Sequence, residues 1–284
     1  MASPCPRPWS SSFGPWPVTD AASARPKRPE IQRICGINAV RALFLRRPEA
    51  VQRLHYTEDR RRIAGPLCQY LARHQRPYRE VTPEELARLA GTEHHGGLMA
   101  LAEPRRAEPL PERLPPILFA APVLPVLDGI GNPHNLGAIA RSAAFFGARA
   151  LLLSGDPRQA GLSDAAFRTS EGALEHLAVF RAQDLAATLR RLSGQMLAVA
   201  AVADGGMPPE ALPRQKPIAL VLGNEESGPS PAVLDTCPAR VSLAGSGLIE
   251  SLNVAAASAV LLHSLMPTNR QAPRPVPRPP RRPA

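Results

Sequence analysis

From residue 123 to residue 265 the chain alternates short apolar runs with helical stretches, and this alternation limits the possible folds more than any other feature. Residues 123–127, 150–153, 197–202, 218–222 and 240–243 read as strands. Residues 135–146, 185–192, 231–236 and 251–265 read as helices, the first closed by Gly147 just past its end. A strand that is apolar on both faces is buried on both, and strands separated by helices run parallel. The expected core is an α/β domain, a mostly parallel sheet with helices on each side.

A smaller α/β unit is expected ahead of it. Ile31, Ile34, Ile37, Val40, Leu43 and Phe44 recur at helical spacing, and a second amphipathic stretch surrounds Ile63, Leu67, Tyr70 and Leu71. Thr82-Pro83-Glu84-Glu85 reads as a helix start, with Thr as N-cap, Pro at N1 and Glu at N3, and that helix ends near Gly91. Residues 103–122 hold six prolines, which remove backbone donors and fix φ, so this stretch reads as an extended linker. The expected organisation is a small domain at 30–102, a linker at 103–122 and the larger domain at 123–267. Residues 1–29, rich in Pro and Ser, and 268–284, rich in Arg and Pro, are expected to be disordered.

Charge follows the same division. The chain of 284 residues carries a net +10, of which +3 lies in residues 1–29 and +5 in residues 268–284, leaving +2 for everything between. Arg/Pro tails bind polyanions without folding; they also arise from a GC-rich genome, and both readings stay open. Cys5, Cys35, Cys68 and Cys237 are far apart, with no CxxC pair, so neither a metal site nor a disulfide framework is suggested. No apolar run reaches the roughly 18 residues that span a bilayer, and the start lacks a continuous apolar signal core. A soluble, cytoplasmic protein with no membrane partner is expected.

Ligands of parallel α/β sheets bind beyond the carboxyl ends of the strands. Three unusual loops fall at such ends. The first is LDGIGNPHNLGAIAR, residues 127–141; it is not a GxGxxG fingerprint and no Walker lysine follows. The second is LGNEESG, residues 222–228, where two carboxylates stand at the mouth of a buried strand. The third is LAGSGLIESLNVAAA, residues 243–257, where Gly245 and Gly247 allow close approach of the backbone to a ligand. Singly, each has a plain structural reading: Asn135 and Ser251 as N-caps, Arg141, Glu226 and His134 as solvated side chains.

Together the loops resemble the three motifs of the SpoU, or TrmH-type, RNA ribose 2′-O-methyltransferases of the SPOUT class. The carriers are N-x-G-x-x-x-R (Asn135, Gly137, Arg141), then L-G-N-E (Leu222 to Glu225), then S-L-N opening the last helix (Ser251 to Asn253). ICGINAVRALF (34–44) and HHGGLMAL (94–101) resemble the opening and closing of the ribosomal-protein-like RNA-binding domain found ahead of the catalytic domain in many members. The resemblance spans about residues 31–266. Two positions depart from the family's pattern: Ala244-Gly245 replaces a common Pro-Met pair, and His94-His95-Gly96 replaces HQG.

The resemblance implies a C-terminal trefoil knot, a homodimer, an RNA substrate (ribosomal favoured, transfer possible) and S-adenosylmethionine as cofactor. It implies a cofactor pocket at Leu222, Gly223, Asn224, Leu243, Gly247 and Leu252, and no metal. It also implies catalytic or ribose-shaping roles for Arg141, Asn135, Glu225, Ser251 and Asn253. A guanidinium loses its proton only above about pH 12, so Arg141 is expected to orient a phosphate and stabilise charge, or to pass a proton on. Glu225 is expected to fix the arginine or its loop, with Gly223 leaving room for the cofactor. A catalytically inactive RNA-binding or assembly factor on the same fold is the alternative.

Overall fold

The computed structural model describes residues 30–266; the two terminal segments expected to be disordered lie outside the described residues. The small unit runs β1 (Gln32–Cys35), α1 (Ile37–Arg46), β2 (Val51–Tyr56), α2 (Arg61–Arg73), β3 (Tyr78–Glu80), α3 (Pro83–Ala90) and β4 (Leu98–Ala102). Its sheet order is β1-β4-β2-β3, with β4 antiparallel to both neighbours and β3 parallel to β2.

The helical spacing read from Ile31 onward is corrected here. A strand comes first, and Gly36 at φ 97° turns the chain into α1. Apolar residues on both sides of that turn face one core, so their spacing imitates a single helix. The third helix forms as its residues dictate: the Thr82 hydroxyl accepts from the Glu85 N–H, and Gly91 closes the helix at φ 67°.

The larger sheet begins inside the proline-rich stretch, with β5 (Glu108–Pro109). It continues through β6 (Val123–Asp128), α4 (Pro133–Phe145), β7 (Ala150–Ser154), α5 (Asp164–Ser170), α6 (Ala173–His176), β8 (Ala178–Ala182) and α7 (Leu185–Leu192). Then follow β9 (Leu197–Ala201), β10 (Ile218–Gly223), α8 (Pro231–Leu234), β11 (Ala239–Val241) and α9 (Val254–Leu265). All seven strands are parallel, in the order β11-β9-β10-β6-β7-β8-β5. Every residue of β6, β7 and β10 is buried, as apolar central strands require. Each fully buried Leu, Ile or Val there contributes roughly 1.5–3 kcal/mol.

Strand order reverses between β6 and β10. From β6 the chain moves outward to β7 and β8; β9, β10 and β11 lie on the other side. Such a switch point opens a crevice at the carboxyl ends of the two strands. The register sets Gly223 beside Asp128, so the first and second unusual loops leave the sheet side by side.

The small unit packs directly against the larger sheet's helices. Ala39, Val40 and Leu43 of α1 share one core with Leu136, Leu151 and Leu174. Gly172, at φ 90°, permits this approach, since a Cβ there would lie 2.9 Å from the Asn38 carbonyl. Glu175, its side chain fully buried, accepts two hydrogen bonds from Arg47 at 2.8 and 2.9 Å and pairs with Arg105 at 3.6 Å.

Candidate active site

At the switch point one carboxylate organises the first loop. Glu225 accepts from the backbone N–H groups of Gly131 (3.2 Å) and Asn132 (3.3 Å), and from the Asn135 side-chain amide (2.8 Å). Burial raises the Glu225 pKa, but the hydrogen bonds from Asn135, its own backbone, Gly131 and Asn132 outweigh it, so the carboxyl is held below the ordinary glutamate value. The Asn135 carbonyl accepts in turn from the Asn253 amide at 3.2 Å. One residue from each of the three motifs therefore meets in a continuous chain, Glu225–Asn135–Asn253. It is assembled from the loop after β10 and the first turns of α4 and α9.

Helix ends hold these side chains in place. Asn132, not Asn135, caps α4 by accepting from the His134 N–H at 2.9 Å, which leaves the Asn135 side chain free to bridge. Asn253 caps α9 by accepting from the Ala255 N–H at 2.9 Å, so the helix starts at Val254 and Ser251 is not its cap. Asn224 folds the second loop: its carbonyl accepts from the Glu226 and Ser227 N–H groups, and its amide donates to the Gly129 carbonyl at 2.8 Å. Asp128, at the end of β6, accepts from the Ser230 N–H at 2.7 Å.

The glycines have distinct reasons. A Cβ on Gly223 would lie 1.9 Å from the Pro229 nitrogen, so the space is taken by the returning chain itself, whereas the sequence reading reserved it for a cofactor. A Cβ on Gly137 would lie 2.5 Å from the Ala166 carbonyl, so the central glycine of the first motif lets α4 press against α5. Gly247 sits at φ 83° in an exposed loop, and Gly245 has open space around it.

An open cleft of about 430 Å³ lies over the carboxylate, lined by Asn132, Asn135, Arg158, Asn224, Glu225 and Glu226 among others. Of the expected cofactor residues, Asn224 lines it; Leu222 is buried in β10, and Leu243, Gly247 and Leu252 belong to the neighbouring 243–253 segment. Leu248 (89 % exposed), Ile249 (70 %) and Leu252 form an apolar rim on that segment. Ser251 is exposed and makes no hydrogen bond among the described residues. Arg141 is exposed on α4 and likewise has no hydrogen-bond or ion-pair partner among the described residues. It lies about 9 Å farther along the helix axis than Asn135.

The 155–177 segment shows no readable helical or strand period in the sequence. Its short helices are separated by Glu171 and Gly172, both at positive φ, and their apolar positions are too few to show a period. That segment supplies Gln159, whose carbonyl accepts from the Gly129 and Ile130 N–H groups at 3.1 and 3.2 Å, and Arg158 in the cleft.

A parallel α/β domain whose switch-point loops are joined by a carboxylate-centred polar chain is a ligand-binding enzyme architecture. Residues 122–263 match the model of the SpoU rRNA Methylase family, and residues 33–107 match that for RNA 2′-O ribose methyltransferase substrate binding. The chain is 34 % identical to an uncharacterized tRNA/rRNA methyltransferase of Haemophilus influenzae, over 83 % of this chain and 66 % of that protein. It is 30 % identical to the 23S rRNA (guanosine-2′-O-)-methyltransferase RlmB of Nitrosomonas europaea, over 81 % of this chain and 89 % of the relative. In fold it superposes on the SpoU methyltransferase AviRb from Streptomyces viridochromogenes, solved in complex with AdoMet, with a TM-score of 0.64 at 24 % identity, covering 82 % and 88 % of the two chains. The chain belongs to the SpoU rRNA methylase family.

Proposed function

We propose that this protein transfers a methyl group from S-adenosylmethionine to a ribose 2′-hydroxyl of RNA, with ribosomal RNA as the substrate. The observation that carries this reading is the Glu225–Asn135–Asn253 chain, which draws all three motifs of the family to one crevice. Ribosomal RNA is favoured by the RlmB relatives, named for 23S rRNA, and by the substrate-binding module at 33–107. On that module Arg53, Arg62, Arg73 and Arg88 are exposed and suited to phosphates, while Arg61 and Arg79 are paired with Glu80 and Glu85.

The residues fit the cofactor. The 243–253 segment offers open space beside Gly245, a left-handed turn at Gly247 and the unpartnered apolar side chains of Leu248, Ile249 and Leu252. Such a surface suits an adenine ring and backbone hydrogen bonds from the loop. When bound, S-adenosylmethionine supplies an electrophilic methyl on a sulfonium. Glu225 holds the 131–135 loop, Asn135 and Asn253 shape the ribose side of the crevice, and Arg141 holds the adjoining phosphate and offsets charge developing on the hydroxyl.

Arg141 and Phe145 are four residues apart on one face of α4, and Phe145 is 82 % exposed. An exposed apolar ring beside an unpaired arginine supports a homodimer in which this face is covered and Arg141 is brought to a completed site. A knotted C-terminus, which the resemblance implies, belongs to the same reading, with α9 returning to pack on α4 and β10.

The test is transfer of radiolabelled methyl to unmodified 23S rRNA, with the product mapped by resistance of the 2′-O-methylated linkage to alkali. Labelled wild type with silent Arg141→Ala supports the reading. A silent wild type that still binds the RNA points to the inactive assembly factor.

A further inference from the structure

We propose that Arg158 binds a second backbone phosphate of the RNA near the target ribose, distinct from the one assigned to Arg141, held in position for that task by Asp156. The inference rests on the methyl-transfer reading for its substrate, and adds a residue that none of the three family motifs contains.

Among the described residues, Arg158 is the one cation lining an otherwise neutral or acidic cleft. The other side chains along its wall are Asn132, Asn135, Asn224, Glu225 and Glu226, and Asp156 stands behind. An RNA strand entering there brings more negative charge to a surface that already carries carboxylates. A cation within the cleft is the feature that lets a polyanion settle rather than be repelled.

The guanidinium is held by one edge and open on the other. Its Nε donates to Asp156 Oδ1 at 3.1 Å and its Nη2 to Asp156 Oδ2 at 2.8 Å. Of the five N–H groups of an arginine, two are used, and the fork between Nη1 and Nη2 is left with no partner among the described residues. That fork is the edge that matches a phosphate with two parallel hydrogen bonds. Asp156 also accepts from the Arg158 backbone N–H at 2.7 Å, which fixes the start of the side chain.

The supporting segment is tied to the active-site loop. The buried Gln159 amide accepts from Gly129 and Ile130 and donates to the Ile130 carbonyl at 3.2 Å, and the Ala160 N–H bonds that same carbonyl at 2.8 Å. Gly129, at φ 75°, turns the chain directly beside the guanidinium: a Cβ there would stand 3.6 Å from Arg158 Nη2, in ordinary contact. Arg158 therefore sits at a set distance from the Glu225–Asn135 pair, as a group that reads the flanking phosphate must.

The experiment compares wild type, Arg158→Ala, Arg158→Lys and Asp156→Asn in filter binding to transcribed 23S rRNA across a salt series. Calorimetry with S-adenosylmethionine, thermal melting and methyl transfer are run in parallel. For Arg158→Ala, RNA affinity is expected to fall about tenfold, and the slope of log affinity against log salt to drop by about 0.7, one single-strand phosphate. Melting temperature and cofactor affinity stay unchanged. The lysine variant retains the salt slope but loses affinity, because it keeps the charge and loses the fork; Asp156→Asn weakens binding in the same direction by loosening the guanidinium. An alanine variant with wild-type affinity and slope overturns the proposal, as does a loss confined to melting temperature or cofactor binding. Absence of methyl transfer by the wild type would defeat the enzymatic reading separately, since the binding slope reports on Arg158 in either case.

Discussion

Asn135 donates to Glu225 at 2.8 Å across the crevice between α4 and the end of β10, joining residues ninety positions apart. The carboxylate also holds two backbone N–H groups of the 131–132 turn, so its loss releases the turn and the asparagine together. Glu225→Ala is expected to lower stability by about 1–2 kcal/mol, the low end reflecting solvent at the site. Methyl transfer should fall by at least about a hundredfold, as expected for lost positioning. Urea unfolding and single-turnover transfer measure the two effects; full activity in the variant removes the carboxylate from the machinery.

The same group gives a pH signature. Hydrogen bonding depresses the folded-state pKa of Glu225 below its ordinary 4.5. Its contribution to stability is therefore fully present above the unfolded-state value and is lost as pH falls through the folded-state value. Wild type and Glu225→Gln should differ in melting temperature at pH 7 and converge as pH drops below 4.5. A difference that grows on acidification contradicts the assigned shift.

Gly223 and Gly245 make a matched pair of controls. A methyl on Gly223 would collide with backbone at 1.9 Å, whereas Gly245 has nothing within 4 Å. Gly223→Ala should cost about 3 kcal/mol or more through displacement of the 228–229 return. Gly245→Ala should change stability by no more than about 0.5 kcal/mol. Chemical denaturation of the two proteins side by side checks the contrast.

Glu175 fastens the small unit to the larger one by pairing with Arg47 and Arg105 while fully buried itself. Glu175→Ala leaves two poorly solvated guanidinium groups without their carboxylate and should destabilise by about 3–5 kcal/mol. Arg105 also donates to the Leu174 and Leu177 carbonyls, so Arg105→Ala should be destabilising as well. Limited proteolysis between residues 103 and 122 should speed up in both variants; unchanged cleavage would show that the two units are held together elsewhere.

Arg141 is exposed, with no hydrogen-bond or ion-pair partner among the described residues, and its removal should leave folding untouched. Arg141→Ala is expected to melt within about 1 °C of wild type, as surface changes do, to bind S-adenosylmethionine normally, and to lose methyl transfer by about a hundredfold or more. Melting curves, calorimetry and transfer assays on one preparation separate these. A variant that fails to bind cofactor would assign the arginine to the cofactor pocket.

Local chemistry made much of the architecture readable from sequence. Fully apolar runs at 123–127 and 218–222 could only be central strands, and Thr82-Pro83 with Gly91 could only bracket a helix. Glu225 stands out because carboxylates at the mouth of a buried strand need a purpose, and Asn135 and Asn253 stand out through the resemblance of their motifs to those of the family. What sequence could not carry was distance. The 31–46 stretch imitated one helix because burial is set by a core that a strand and a helix share, and only the turn at Gly36 separates them. The 155–177 segment has no period, so only the fold shows that Arg158 and Gln159 stand against Gly129. In sequence Gly223 suggests space for a ligand, yet in the fold its hydrogen atom faces Pro229. Composition and periodicity fix which residues must be hidden, because burial is a property of each side chain; which of them meet depends on the path of the whole chain, and that is written only in three dimensions.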